Sequence, residues 1–373
     1  MSPASITPVR LGIAGFGNVL GAYWPVVERL RHLGHAQVIA GTAPERHRFR
    51  AADLGIPRFD ISYVDFLNNS EVDAVIVLTP MQDHASMVRA ALEAGKHVLV
   101  EKPLATDLDS ARQLIELART QRRLLCCAPF TVLSPTFQTI ARRIDRGDLG
   151  RVVAGRGRYG WAGPDWTGWF YKKGGGALFD LGVYNLTTLT GWLGPARRVT
   201  AMSGVAIPQR LVRGTPTAVE SEDNVQVILD FGDGCLVTVF AGFTVQQYRG
   251  PGIELYGTEG TLNLLGDDWD PDGYELWRNA AGCWELHKET HPEWPWTDGL
   301  RHWVDCIRSG AELLVSPDHA YHVIEIMTQA QASARDGTCR PLHSRFHPPR
   351  TRDDAGAPSV EAHRVHDRTR TEV

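Results

Sequence analysis

Four short apolar runs constrain the first third of the chain: Val9 to Ala14, Ala36 to Ala40, Ala74 to Leu78 and His97 to Val100. They lack the polar alternation of a half-exposed strand, so each reads as a strand buried on both faces. The stretches between them are long enough to hold the crossover helices that parallel neighbours require. Ala85, Val88, Ala91 and Leu92 recur at helical spacing before the last run, and Ala111, Leu114, Ile115 and Ala118 do so after Pro103. Asp107 and Asp109 stand where they can cap the second helix. The spacing predicts an α/β layer, a doubly wound parallel sheet, over residues 8 to about 130.

Beyond Gly150 the texture changes. The chain is rich in glycine and tryptophan as far as Gly194, then alternates like a strand at Asn224 to Leu229 and Cys235 to Ala241. Asp233-Gly234 between these two runs is a hairpin signal. Ser316-Pro317 reads as an N-cap and N1 proline, opening a helix with Ala320, Val323, Ile324 and Met327 on one face. These features predict a second, α+β domain over 131–345 with a large open, mainly antiparallel sheet, and 373 residues suit two domains. The segment 346–373, with His347, His363 and His366 among Pro, Arg and Asp, is expected to be a solvated, disordered tail.

Lys plus Arg (39) nearly balances Asp plus Glu (43), so no global field collects nucleic acid or an anionic membrane, and a small, roughly neutral partner is expected. The six cysteines have no metal-like spacing and are expected as buried free thiols, with no metal site. The stretch MSPASITPVRLGIAGFG does not read as an export signal, and no apolar run reaches membrane-spanning length. The cytoplasm is the expected location.

Gly15-Phe16-Gly17, followed by Asn18 and Val19, comes directly after the first apolar run and before a helical stretch. There a glycine turn lets backbone amides approach a dinucleotide pyrophosphate, as in a Rossmann unit. The third glycine of such a fingerprint is replaced by Leu20, with Gly21 one place late. The second strand ends Ala40-Gly41-Thr42-Ala43 without the carboxylate that would hold a ribose 2′-hydroxyl. Thr42 and Arg46 therefore tilt the choice between NAD and NADP slightly towards NADP.

Glu101-Lys102-Pro103 falls at the carboxyl end of a parallel strand, where doubly wound sheets gather ligands. Gly174-Gly175-Gly176 leads into Ala177-Leu178-Phe179-Asp180-Leu181-Gly182-Val183-Tyr184, and Thr79-Pro80-Met81-Gln82-Asp83-His84 follows the third run. In this order the motifs resemble the glucose–fructose oxidoreductase, inositol dehydrogenase and MocA (Gfo/Idh/MocA) family over residues 8 to 342. Tyr256-Gly257-Thr258-Glu259-Gly260 fits that family's late sheet strand. The resemblance implies an NAD(P)-dependent oxidoreductase acting on a secondary hydroxyl or keto group of a sugar, cyclitol or derivative, built as a homo-oligomer through its open sheet. It implies that Lys102 binds the nicotinamide ribose and the reacting oxygen, and that Asp180 is the acidic residue of the second motif. Tyr184 stands where many members carry histidine, which indicates a tyrosine-bearing branch. Thr187 and Ala128-Pro129-Phe130 replace an acidic residue and an arginine of other members.

A free tyrosine, with a pKa of about 10, is a poor base. A neighbouring ammonium favours phenolate, so Lys102 beside Tyr184 is expected to form an acid–base pair. Glu101, Thr79, Pro80 and His84 join the expected cofactor contacts, although for His84 a structural, helix-capping role is the favoured reading. Trp161, Trp166 and Trp169 precede the glycine run and could stack on a sugar or simply pack a loop, and the pair Lys172 and Lys173, more often a solvated patch, could meet an anionic substituent. Trp269, Trp277, Trp284, Trp294 and Trp296 fall in the later sheet region with no assigned role. Two rival functions remain at this level: an NAD-dependent glycoside hydrolase working through transient oxidation and elimination, and a non-catalytic dinucleotide sensor.

Overall fold

The computed structural model describes residues 7–288 and 293–350. Its first layer is a six-stranded, all-parallel sheet in the order β3-β2-β1-β4-β5-β6. The strands are β1 (Val9–Ala14), β2 (Ala36–Thr42), β3 (Phe59–Asp60), β4 (Ala74–Val77), β5 (His97–Val100) and β6 (Leu125–Cys127). Between them run α1 (Leu20–His32), α2 (Arg48–Asp53), α3 (Tyr63–Leu67), α4 (His84–Glu93) and α5 (Leu108–Thr120). Strands β4 and β5 are almost wholly buried, as runs covered by helices on both faces must be. In α5 the buried residues are Ala111, Leu114, Ile115 and Ala118, and Asp107 caps it by accepting the Ser110 N–H at 2.8 Å. The strand order reverses between β1 and β4, which opens a crevice above their carboxyl ends.

Helix α6 (Pro135–Asp145) leads to the second sheet through β7 (Val152–Gly160). A helical segment then runs into α7 (Val183–Leu193), followed by β8 (Arg198–Gly204) and a separate two-stranded hairpin, β9 (Gln209–Val212) and β10 (Thr215–Ala218). Next come β11 (Asn224–Gly232), β12 (Cys235–Gly242), β13 (Ile253–Gly257), β14 (Gly260–Asp267), β15 (Asp270–Arg278) and β16 (Cys283–His287). Helices α8 (Gly299–Ser309) and α9 (Pro317–Asp336) and the short β17 (Arg340–Pro341) close the described chain. The large sheet has nine strands in the order β16-β15-β14-β13-β7-β12-β11-β8-β17, antiparallel except for β7 against β12.

Local chemistry explains its joints. Asp233 and Gly234 both have positive φ, the twist a tight β11–β12 hairpin needs. Ser316 accepts the Asp318 N–H at 3.2 Å and starts α9. Cross-strand registry puts Leu276, Leu262, Leu255, Val237, Leu229 and Val199 on one buried face, towards the helices. Helix α9 reaches back to the first layer, where Asp318 meets Arg119 of α5 at 2.7 Å.

Two expectations are corrected. Cys126, Cys127, Cys235 and Cys306 are buried thiols, but Cys283 and Cys339 are exposed, one on the edge strand β16 and the other just before β17. The segment from residue 346 starts packed: Phe346 stacks on His319 with ring centroids 4.1 Å apart, and Arg350 pairs with Asp145 at 2.7 Å. Residues 1–6 and 351–373, with His363 and His366, lie outside the described residues. Among the described residues no helix is long and apolar enough to cross a membrane.

Candidate active site

The glycine turn lies above the sheet's reversal point. Gly15 has φ +102°, and a Cβ there would come within 2.5 Å of the Leu78 carbonyl oxygen, so the ends of β1 and β4 can approach only through glycine. A Cβ on Gly17 would meet nothing within 4 Å, so that backbone face is open where α1 begins. An open glycine backbone at a helix N-terminus fits a dinucleotide pyrophosphate. Phe16 serves the core instead, buried against Phe59 at 5.6 Å. Asn18 is exposed and Val19 is the N-cap residue of α1. Arg50 of α2, which sequence reasoning missed, donates to the carbonyls of Phe16 and Gly17 at 2.8 and 2.9 Å and braces the turn. At the end of β2, Thr42 is buried and Arg46 exposed, while Glu45 is tied to Arg48.

Thr79 and Pro80 follow β4 beside Gly15. His84 opens α4 and is buried, with its ring nitrogens 2.6 Å from the Pro103 carbonyl and 3.0 Å from that of Thr79. Burial pushes its pKa down. It braces two loops rather than pointing into the crevice.

At the end of β5, Glu101 is buried and accepts the Tyr23 hydroxyl at 2.7 Å and the Lys102 N–H at 3.1 Å. Lys102 extends its ammonium to Asp180, with 2.6 Å to both Oδ1 and the main-chain oxygen. Their side chains are only 10% and 11% exposed. Asp180 sits in a single π-helical turn, Leu178–Gly182, that leads into α7. Such turns re-aim a side chain by inserting one residue. The glycine run makes the approach possible, since a Cβ on Gly175 would lie 2.4 Å from the Phe170 oxygen.

Tyr184, in the first turn of α7, presents its ring to Lys102, whose Nζ lies 5.0 Å from the ring centroid. The Lys102 ammonium is matched by Asp180, which offsets its pull on the phenol. Burial first, then the charges of Glu101, Tyr159, Asp180 and Asp268, push the Tyr184 pKa well above its ordinary value. These groups favour the neutral phenol of Tyr184.

The structure adds a group that sequence reasoning missed. Strands β14 and β15 are joined by Asp268-Trp269, a two-residue turn with no left-handed residue and no glycine. Asp268 is buried and accepts the Asn185 amide at 3.0 Å. Trp269 lies 6.5 Å from Tyr159, which meets the Tyr184 ring edge-on at 5.8 Å. The run Gly266-Asp267-Asp268-Trp269-Asp270-Pro271, dense in turn-forming residues, was the sequence signal available for this group. Trp161 and Tyr159 border one cleft, whereas Trp166 stacks on Trp161 and Trp169 on Phe170. Lys172 is held by Glu220 at 2.6 Å. Among the described residues no group of three His, Cys, Asp or Glu side chains could hold a metal ion.

Burial raises the Asp268 carboxyl to about 7. A carboxyl whose folded pKa lies above its unfolded value stabilises the fold while protonated. That contribution is present at acid pH and is lost as pH rises through about 7. Asp268→Asn is expected to flatten this decline, so that between about pH 5 and about pH 8 the parent loses on the order of 2 kcal/mol more stability than the variant in urea titrations. Equal losses would show that Asp268 is already ionised in the acid range.

Comparison with known proteins identifies the family. Residues 9–128 match the model of the oxidoreductase family with an NAD-binding Rossmann fold, and residues 137–263 match that of the Gfo/Idh/MocA C-terminal domain. The chain is 29% identical over 283 residues to 1,5-anhydro-D-fructose reductase of Ensifer adhaerens, covering 73% of this chain and 81% of that one. It is 33% identical over 348 residues to an uncharacterized oxidoreductase of Rhizobium meliloti, covering 88% of this chain and 98% of its relative. Levoglucosan dehydrogenase, solved in complex with NADH and levoglucosan, shares the fold with a TM-score of 0.78 at 20% identity, over 90% of this chain and 99% of that one. The 3-2-1-4-5-6 parallel sheet, the large second sheet and these matches over both layers lead to one assignment: the chain belongs to the Gfo/Idh/MocA family of NAD-binding oxidoreductases.

Proposed function

We propose that this enzyme moves a hydride between a nicotinamide dinucleotide and a secondary hydroxyl or keto carbon of a sugar or cyclitol. The observation that carries the reading is the Lys102–Asp180 pair, with Tyr184 against it, at the carboxyl end of β5 beside the glycine turn. Gly15, Gly17, Asn18, Val19, Thr79 and Glu101 would hold the dinucleotide, which supplies the hydride donor or acceptor when bound. Lys102 hydrogen-bonds the reacting oxygen and exchanges its proton, Asp180 holds the ammonium in place, and Tyr184 donates a hydrogen bond from its phenol.

The end of β2, without a carboxylate and with Arg46 exposed, supports a preference for NADP over NAD. An Arg46→Ala variant would then lose affinity for NADP and not for NAD. The outer face of the large sheet exposes Met202, Ile228, Leu236, Trp284 and Leu286, which supports assembly of copies through that face. Light scattering on the purified protein checks it, and a monomer at micromolar concentration would refute it.

The activity test is nicotinamide absorbance with NAD or NADP and a panel of sugars and cyclitols. Turnover that disappears in Lys102→Ala is expected. No hydride transfer with any compound would contradict the reading.

A further inference from the structure

We infer that Trp269, Trp296 and Tyr159 form the wall against which the substrate ring lies, and that this wall takes an uncharged sugar or cyclitol ring rather than a phosphorylated or nucleotide-linked one. The inference rests on the function proposed above and names its substrate class.

A chain of contacts runs around the Lys102 site. From Tyr184 it passes to Tyr159 at 5.8 Å, to Trp269 at 6.5 Å, to Trp296 at 6.2 Å and to Tyr23 at 6.1 Å. Tyr23 then donates to Glu101 at 2.7 Å, and Glu101 precedes Lys102 in the chain. The residues come from α1, β5, β7, α7, the β14–β15 turn and the segment before α8, so five separated stretches of sequence beyond β5 itself meet here. Thr297 fixes the last of them by donating to the Ala22 carbonyl of α1 at 3.0 Å. Trp269 and Trp296 are both part-exposed, and aromatic faces left open beside a polar site suit the C–H face of a sugar ring.

The polar groups fit hydroxyls. Asn185 Oδ1 is a buried acceptor with no hydrogen bond of ordinary length and angle among the described residues, whereas Trp269 is hydrogen-bonded to Tyr159 and Asp268 to Asn185 and Thr188. The charge is wrong for a phosphate. Glu101, Asp180 and Asp268 all act on Tyr184, and the Lys102 ammonium is matched by Asp180. In the adjoining cleft Asp267 accepts the Tyr248 hydroxyl at 2.8 Å, and Arg158 lies over the Tyr248 ring. Arg249 is solvent-exposed, where salt screens its pull on an anion. Of the lysine pair expected to meet an anionic group, Lys172 is paired with Glu220, and Lys173 is solvent-exposed, where salt screens it.

The test uses the full-length protein with saturating NAD or NADP and, for ketones, the reduced cofactors. The uncharged probes are levoglucosan, scyllo-inositol and 1,5-anhydro-D-fructose, and the charged ones glucose 6-phosphate and dTDP-glucose. Turnover is expected with uncharged probes, and Trp269→Ala should raise KM by about tenfold while kcat changes by less than about threefold. Trp269→Phe should recover most of the affinity, and thermal melting of both variants separates lost binding from lost folding. Saturation-transfer NMR of the uncharged probes gives a readout without turnover. Binding that depends on Trp269 but no hydride transfer would sink the proposed function and leave the ring site standing. Turnover confined to the charged probes, an unchanged KM in a folded Trp269→Ala protein, or no binding of any uncharged probe would overturn the inference.

Discussion

Replacing Lys102 with alanine is expected to lower kcat by about a thousandfold, the scale of losing a positioned proton-exchanging group. The same change should also destabilise the protein. Asp180 keeps its oxygens next to Lys102 with 11% of its side chain exposed, so removing the ammonium leaves a nearly buried carboxylate without its counter-charge. Breaking a buried pair from one side costs about 3–5 kcal/mol. The double variant Lys102→Ala with Asp180→Asn separates the two effects. It should recover most of the stability, read as a melting temperature, while turnover stays at the level of the single variant. A double variant that regained turnover would show that Lys102 only neutralises Asp180.

The second large effect is at Gly15. Alanine there must hold φ near +102° and place a methyl 2.5 Å from a backbone oxygen of the residue after β4, an atom with no room to move. Strain and overlap together should cost at least about 3 kcal/mol and abolish dinucleotide binding. Gly17→Ala is the informative contrast. Nothing lies within 4 Å of the added Cβ, and Gly17 has no positive φ, so stability should change by less than about 1 kcal/mol. Its methyl would stand where the dinucleotide backbone must approach, so affinity should still fall. Fluorescence titration with NADPH and thermal melting read both variants. Equal loss of stability at the two positions would mean that both glycines are needed only for the turn.

What was legible in the sequence was local. The Val9–Ala14 run, the glycine turn after it, the Asp107 and Ser316 caps and the Asp233-Gly234 hairpin each depend on neighbours within a few residues. The motif residues Lys102, Asp180 and Tyr184 were also legible, through a resemblance that places them in order along the chain. Their mutual geometry was not. Whether Lys102 favours a phenolate depends on where its Nζ points, and it points at Asp180 with the Tyr184 ring below it. Composition drew attention to Trp161, Trp166 and Trp169 because they crowd the glycine run, yet Trp166 and Trp169 stack with their own neighbours. Trp269 and Trp296 reach the site because the β14–β15 turn and the approach to α8 converge on α1, a long-range closure that no periodicity encodes.

The most direct test of the central claim is the fate of one hydrogen. The protein would be incubated with nicotinamide cofactor carrying deuterium at the transferring C4 position and with 1,5-anhydro-D-fructose, and the product read by mass spectrometry and NMR. Deuterium bound to the former carbonyl carbon, absent when Lys102→Ala is used, is the predicted result. Reduced product without the label, or label transfer that survives in the folded Lys102→Ala protein, would contradict it.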